Sequence, residues 1–160
     1  MVKLKNEDDL SFQICRMPDD SKSAEDGYRT VREGLWIYIN SKISNMGSAP
    51  RTIPIFMRDR KNRVVGGVIG HVFGGWLHIE LFWVEESLRN KGYGTKLLKM
   101  IENEAVKLGC KHAHLDTFSF EARPFYEKHG YTLFATLDNY PEGHSMHFLK
   151  KRLSAHTTHR

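Results

Sequence analysis

The sequence predicts an α/β fold with a mixed, mostly antiparallel central sheet of about seven strands flanked by helices. Three strand-like runs follow one another in the middle of the chain and are separated by tight turns, which predicts an antiparallel meander. A long amphipathic segment then separates the last of these runs from another, which predicts one strand–helix–strand crossover. The chain has 160 residues, and we assign residues 1–153 to a single domain and residues 154–160, which lack apolar anchors, to a flexible tail.

The first part of the chain reads as a strand followed by a helix. Residues 10–17 have strand-like composition and end at Pro18-Asp19-Asp20. A helix is predicted from about Ala24, because apolar residues then recur every three or four positions, and Gly34 is a point where it could divide. Residues 45–50 form a predicted loop before the sheet begins again.

The meander is predicted at residues 52–58, Val64–Phe73 and Trp76–Val84. Its first turn is residues 59–62, and its second is the Gly74-Gly75 pair, a typical tight hairpin turn. Glycines inside the second strand weaken its intrinsic preference but allow another part of the chain to approach its backbone closely.

The second half alternates helices and strands. A helix is predicted at residues 93–108, because an apolar stripe runs along one face and Gly109 provides a stop signal. The remaining predicted elements are a strand at His112–Phe118, a short helix at 121–129, and strands at 131–137 and 145–149.

Composition excludes several classes of protein. The formal net charge is only +5 and the basic residues are spread among acids, so no nucleic-acid partner is predicted. Cys15 and Cys110 are far apart, and His112 and His114 have no evident third ligand, so we predict neither a disulfide scaffold nor a metal site. No apolar run approaches ~18 residues, which predicts no membrane span, and the N-terminus has no apolar signal core, which predicts a cytoplasmic protein.

The segment Arg89-Asn90-Lys91-Gly92-Tyr93-Gly94-Thr95 lies between a predicted strand and the long helix. The first N–H groups of a helix have no intrahelical partner and carry partial positive charge, and glycines leave room for a ligand's phosphates. The segment therefore predicts a pyrophosphate site, although the same glycines could simply shape the turn. It is not a Walker A loop, which needs four residues between its glycines, and it lacks the third glycine of a dinucleotide-binding fingerprint.

Two motifs together give the chain a family resemblance. Arg89-Asn90-Lys91-Gly92-Tyr93-Gly94 is similar to the Gln/Arg-x-x-Gly-x-Gly/Ala motif of the GNAT superfamily of acyl-CoA-dependent N-acyltransferases. Phe125-Tyr126-Glu127-Lys128-His129-Gly130-Tyr131 resembles the second landmark of that family, a short helix that carries a tyrosine and is followed by glycine and an aromatic residue. The order of elements also matches, so the resemblance extends over roughly residues 10–153.

The resemblance implies that acetyl-CoA binds in an opening between the fourth and fifth strands, Trp76–Val84 and His112–Phe118. The pantetheine arm would pair with the backbone of the fourth strand, the pyrophosphate would lie at the start of the long helix, and adenosine would lie near Phe125. Many members have an asparagine where this chain has Ser119. The implied cofactor-binding residues are Leu81, Phe82, Trp83, Val84, Arg89, Asn90, Lys91, Gly92, Tyr93, Gly94, Thr95, Ser119 and Phe125.

Side chains alternate across a strand, so the fourth predicted strand has two different faces. Leu77, Ile79 and Leu81 form an apolar face that we assign to the core. Trp76, His78, Glu80 and Phe82 form the other, which is too polar for an ordinary core.

The resemblance implies catalytic roles for three residues. Glu80 would be the base, or would orient the water that acts as one, with His78 assisting, and Tyr126 would donate a proton to the leaving thiolate. A base is needed because an alkyl amine has a pKa near ~10.4 and is almost entirely protonated at neutral pH. The same residues could instead be a structural pair on an open sheet face and a packing aromatic.

The acceptor would be contacted from the first helix and from the loop between the last two strands. We name Tyr28, Trp36, Asp138 and His144 as candidate substrate-binding residues, and the nearby carboxylates predict a cationic amine. The function expected is acetyl transfer from acetyl-CoA to a primary amine of a small molecule that is polyamine-like or antibiotic-like. The alternatives are acetylation of a protein N-terminus or lysine, and a non-catalytic acyl-CoA-binding module. A homodimer is a further expectation, since the final strands of this family often pair between subunits.

Overall fold

The computed structural model describes residues 12–15, 21–43 and 50–154, in two units that divide after Met46. The N-terminal unit contains helix α1 (Ser21–Lys42). The helix passes through Gly34 without dividing, because one glycine costs only about 1 kcal/mol in a long helix. The strand predicted at 10–17 is absent from residues 12–15, which have no regular structure; its other residues and most of the predicted 45–50 loop lie outside the described ranges.

The second unit is built on one mixed sheet, in which the described residues form six strands rather than about seven. The strands are β1 (Arg51–Arg58), β2 (Val64–Phe73), β3 (Trp76–Val84), β4 (His112–Phe118), β5 (Thr132–Asp138) and β6 (Ser145–Arg152). Their order in the sheet is β1-β2-β3-β4-β6-β5, and all neighbours are antiparallel except β3 and β4.

The helices of this unit lie in the two connections on either side of β4. A 3₁₀ turn at Glu86–Leu88 and helix α2 (Tyr93–Lys107) join β3 to β4, and helix α3 (Arg123–Lys128) joins β4 to β5. Helix α3 is shorter than predicted, because Pro124 stands at its start and the chain turns at Gly130 with a positive φ. The mixed α/β sheet with one parallel crossover is confirmed.

The core lies between helix α2 and one face of the sheet. Leu98, Ile101 and Ala105 of the helix are fully buried together with Val68 and Leu77 of the strands. Gly70 makes this close approach possible, because a Cβ atom there would come within 2.8 Å of the Cδ1 atoms of Ile101 and Leu77.

Strands β3 and β4 separate part-way along their length, as the resemblance implied. Their pairing begins at Trp76 opposite His112 and ends at Ile79 opposite Leu115. Both strands continue, to Val84 and Phe118. The parallel pair is therefore a fork that opens toward the start of α2.

A β-bulge at Glu80 corrects the predicted alternation of β3. The register with β2 passes from Gly70 opposite Ile79 to Ile69 opposite Leu81, which leaves Glu80 without a partner residue. One extra residue reverses the faces of all that follow it. Leu81, predicted in the core, is 58% exposed, whereas Phe82, predicted on the polar face, packs against the core.

Candidate active site

A cleft of about 770 Å³ occupies the fork. Its walls are the diverging ends of β3 and β4, the segment that leads into α2, and the short helix α3. The residues that line it are Ile79, Glu80, Leu81, Phe82, Trp83, Val84, Arg89, Asn90, Gly92, Gly94, Thr95, Asp116, Thr117, Phe120, Glu121, Ala122, Phe125, Tyr126, Lys128 and His129.

One end of the cleft is the N-terminus of α2. Gly92 is its N-cap residue, with φ of 82°, and no side chain caps the helix. The Gly92 carbonyl accepts the first intrahelical bond, from the N–H of Lys96, at 3.0 Å. The N–H groups of the first turn have no intrahelical acceptor, and a Cβ atom at Gly92 would meet nothing within 4 Å. This end of the cleft is open, uncapped and partially positive, as an anion site requires.

Two cationic side chains line the cleft. The Arg89 Nε donates to the carbonyl of Val84 at 3.0 Å, which ties the loop to the end of β3. Lys128 also lines the cleft, from the end of α3. Lys91 points elsewhere, because its Nζ donates to the carbonyl of Ser87 at 2.8 Å and it does not line the cleft.

His129 links α3 to the start of α2. Its Nδ1 lies 2.7 Å from the carbonyl oxygen of Phe125, and its Nε2 lies 3.0 Å from the Thr95 hydroxyl. Because a carbonyl can only accept, Nδ1 carries a proton, and in the neutral ring Nε2 accepts from Thr95. The two helix ends that border the anion site are thus held together through one imidazole.

Two carboxylates stand at the vertex of the fork. Glu80 and Asp116 are the residues that directly follow the last paired residues, Ile79 and Leu115, and both line the cleft. The Glu80 Oε2 lies 2.7 Å from the Nε2 of His71 on β2. This hydrogen bond is the main cause that lowers the pKa of Glu80 from its usual value, so Glu80 is a carboxylate at neutral pH.

His78 lies beside this vertex but does not line the cleft. Its ring stacks on that of His114, with centroids 4.5 Å apart and planes 4° apart, and its Nε2 is 3.6 Å from Asp116 Oδ1. Burial, with His78 next in importance, lowers the pKa of His114. Among the described residues no cluster of three or more His, Cys, Asp or Glu could hold a metal ion.

Tyr126 forms the buried wall of the cleft. The residue is 7% exposed, and its ring contacts those of Phe82, Phe125 and Tyr131. Burial raises the pKa of its phenol, and the nearby carboxylates of Glu121 and Asp116 raise it further. The hydroxyl therefore keeps its proton well above neutral pH and is available as a hydrogen-bond donor.

Comparison with known proteins identifies the family. Residues 15–131 match the Acetyltransferase (GNAT) family. The chain belongs to the GNAT family of acyl-CoA-dependent acetyltransferases. The family resemblance of the two motifs is thereby confirmed.

Individual relatives of this GNAT chain agree. It is 36% identical over 124 residues to Acetyltransferase Atu2258 of Agrobacterium fabrum, and the match covers 78% of this chain and 89% of that protein. It is 37% identical over 94 residues to a Blasticidin-S acetyltransferase of Streptomyces morookaense, and the match covers 58% of this chain and 69% of that protein. An acetyltransferase structure from Bacillus cereus superposes with a TM-score of 0.76 at 31% identity and covers 89% of this chain and 98% of that one. No helix among the described residues is long and apolar enough to cross a membrane.

Most residues that the GNAT resemblance assigned to the cofactor lie around the cleft. Three do not: Lys91, Tyr93 and Ser119. The Ser119 hydroxyl accepts the N–H of Ser145 at 3.2 Å, so it joins the start of β6 to the end of β4. The ten that line the cleft are Leu81, Phe82, Trp83, Val84, Arg89, Asn90, Gly92, Gly94, Thr95 and Phe125.

The candidate acceptor residues are spread over both units. Asp138 and His144 flank the β5–β6 connection, and the His144 ring lies 4.9 Å from that of Phe120, which lines the cleft. Tyr28 and Trp36 belong to helix α1 in the N-terminal unit. Their roles in acceptor binding stay predictions.

Sequence reasoning missed several residues of this GNAT cleft, including Asp116, Phe120, Lys128 and His129, and it missed the His71 contact. Lys128 and His129 lie within the second motif and could have been included with it. The register from the Gly74-Gly75 turn places His71 opposite His78, and so close to Glu80. No local sequence pattern in β4 distinguishes Asp116. It belongs to the site only because the β3–β4 pairing ends at the preceding residue, Leu115.

Proposed function

We propose that this protein transfers the acetyl group of acetyl-CoA directly to a primary amine of a small, cationic molecule. The observation that supports this best is the continuity of the cleft. It runs from the uncapped start of α2, which suits a pyrophosphate, to the carboxylates of Glu80 and Asp116 at the vertex of the fork.

The chain fits acetyl-CoA along this path. Gly92 leaves open space at the start of α2, and Arg89 and Lys128, which also line the cleft, supply positive charge. Among the described strands, β3 has no pairing with β4 beyond Ile79, so one backbone edge of Leu81–Val84 faces the cleft. Exposed backbone N–H and C=O groups need partners, and the amides of a pantetheine chain can supply them.

Starting from the ammonium form of the acceptor, the reaction requires two protons to leave the nitrogen and one to reach the sulfur. Acetyl-CoA supplies the activated thioester: the C–N bond forms, the C–S bond breaks and CoA thiol is released. Ionised Glu80 accepts the first proton from the ammonium, directly or through a water molecule that it orients, and passes it to solvent. The second proton leaves the nitrogen for solvent as the C–N bond forms. The Tyr126 hydroxyl, which burial keeps protonated, donates to the departing sulfur and is reprotonated from solvent.

The exposed side of the cleft fits a cationic acceptor that also has an apolar part. Glu80 and Asp116 provide negative charge, while Trp83 and Phe120 remain 50% and 60% exposed at its edges. Aromatic faces and carboxylates together favour organic cations. The relative named Blasticidin-S acetyltransferase supports a small molecule as acceptor.

The test is acetyl-CoA binding by calorimetry, followed by an amine panel that is read by release of CoA thiol. The panel contains polyamines, aminoglycosides, blasticidin S, lysine-containing peptides and peptides with free N-termini. We expect saturable binding and turnover with at least one small amine. Absence of binding, or binding without turnover on any amine, would overturn the proposal, and turnover on peptides alone would reassign the acceptor to protein.

Replacing Tyr126 with phenylalanine is expected to lower kcat by roughly 10²-fold while acetyl-CoA affinity changes little. The matched control is Tyr131→Phe, because Tyr131 is also a buried tyrosine but its hydroxyl donates to Glu102 at 2.9 Å, outside the cleft. That variant should lose stability and keep its kcat. A Tyr126→Phe enzyme with normal kcat, or one that no longer binds acetyl-CoA, would indicate that Tyr126 only packs.

A further inference from the structure

Glu80 is held from the side by two residues of neighbouring strands. The Nε2 of His71 on β2 lies 2.7 Å from Glu80 Oε2, and the Nδ1 of the same ring lies 3.1 Å from the Thr52 hydroxyl on β1. The Glu80 carboxylate has no proton to give, so Nε2 donates to it, while Nδ1 pairs with the Thr52 hydroxyl, which can donate or accept. Both ring nitrogens are therefore engaged, and the imidazole has one orientation.

The bulge in β3 leaves Glu80 without a partner residue in β2. Residues on either side of Glu80 are fixed by pairing, Ile79 with Gly70 and Leu81 with Ile69, but Glu80 itself has no partner residue. Its side chain is half exposed, and the register of the sheet does not fix its direction. The His71 ring supplies that direction, and Thr52, which is the Cα partner of His71 in β1, fixes the ring.

The other titratable groups near Glu80 on the sheet do not orient its carboxylate as His71 does. On its own strand, His78 lowers the pKa of Glu80 less than His71 does. Asp116 on β4 is 3.6 Å from His78, and the ring of His114 stacks on His78, so both groups are engaged with that histidine. His71 is the group that bonds directly to the Glu80 carboxylate.

We propose that His71, oriented by Thr52, is a positioning residue that keeps the Glu80 carboxylate directed at the acceptor amine. The role rests on the proposed function, because it acts through Glu80. It assigns a catalytic contribution to a side chain that does not line the cleft.

The test combines kinetics with a direct titration of Glu80. Three variants are compared: His71→Phe keeps the ring volume and removes the donor, His71→Gln restores an N–H at a similar reach, and Thr52→Val removes only the hydroxyl. The matched control is His147→Phe on β6, because the Nδ1 of His147 also contacts a threonine hydroxyl, that of Thr136, at 3.2 Å. The carboxyl ¹³C signal of Glu80, assigned with Glu80→Gln, is followed against pH in each protein.

We expect His71→Phe to lower kcat about 10–100-fold with unchanged acetyl-CoA affinity, and to raise the Glu80 pKa toward its usual 4.5. His71→Gln should recover much of the kcat, Thr52→Val should fall between wild type and His71→Phe, and His147→Phe should leave the Glu80 titration unchanged. An active wild type whose kcat and Glu80 titration survive His71→Phe overturns this role alone. A wild type that acetylates no amine overturns the proposed function and this role with it.

Discussion

The Gly92→Glu protein is expected to bind acetyl-CoA at least 100-fold more weakly than the wild type, which corresponds to about 2.7 kcal/mol. Gly92 is the N-cap residue of α2, and its missing side chain leaves open space within 4 Å. A glutamate there would occupy that space and repel the pyrophosphate from the partially positive helix end. Calorimetric titration with acetyl-CoA measures the loss directly.

Two further substitutions separate charge from strain. Gly92 has a φ of 82°, so any other residue there adds roughly 1–2 kcal/mol of backbone strain. Gly92→Ala introduces that strain alone, and Gly92→Gln adds the bulk of glutamate without its charge. We expect affinity to fall in the order Ala, Gln, Glu, with the Gln-to-Glu difference shrinking as salt rises. Equal affinities for Gln and Glu would show that no anion binds at this helix end.

The meander was predictable because its signals are local. The bounds of β2 and β3 are those expected from the sequence, and β1 differs only by starting at Arg51. Turn residues such as Gly74 and Gly75 adopt positive φ angles that other residues avoid, so they mark chain reversals without knowledge of the rest of the fold.

The faces of β3 were predicted correctly only as far as Ile79. Strict alternation placed Leu81 in the core and Phe82 outside it, and the bulge at Glu80 exchanges them. A bulge results from how two strands fit together over their whole length, and a single strand's composition does not contain that information.

The candidate site also has one part that the sequence predicts and one part that it does not. Its anion end comes from one continuous segment, so Gly92 and its neighbours could be identified from the sequence alone. The acidic end is assembled from three strands, and Asp116 and His71 acquire a role only through the end of the β3–β4 pairing and the β2–β3 register. His78, the predicted assistant, is stacked on His114 and does not line the cleft, and its assisting role stays a prediction.

Glu80→Gln is expected to lower kcat/KM by about 10²–10⁴-fold, the range typical for loss of a general base. The substitution keeps the size of the side chain and removes the negative charge at the vertex of the fork. Acetyl-CoA binding should stay close to wild type, because the pyrophosphate end of the cleft is untouched. The measurement is CoA thiol release with the best amine of the panel, together with calorimetry.

The pH dependence of the rate follows from the lowered pKa of Glu80. Its pKa lies below its usual value of 4.5, so Glu80 is fully ionised above that value and loses its charge only as the pH falls through the lowered pKa. Between about pH 6 and 9 the rate should therefore rise only because the acceptor ammonium, with a pKa near ~10.4 if it is lysine-like, loses its proton. The Glu80→Gln profile should run parallel to that of the wild type and well below it.

Substitutions of two residues near Glu80 test whether the loss of kcat/KM in Glu80→Gln is specific to that side chain. Asp116→Asn removes the same charge from the same vertex, and His78→Gln removes the other side chain predicted to handle the proton. Both should reduce kcat/KM by much less than Glu80→Gln, because His71 directs the Glu80 carboxylate and makes no corresponding bond to them. If His78→Gln were the more damaging change, the proton would leave through the histidine pair, and Glu80 would act only as a fixed charge that attracts the amine.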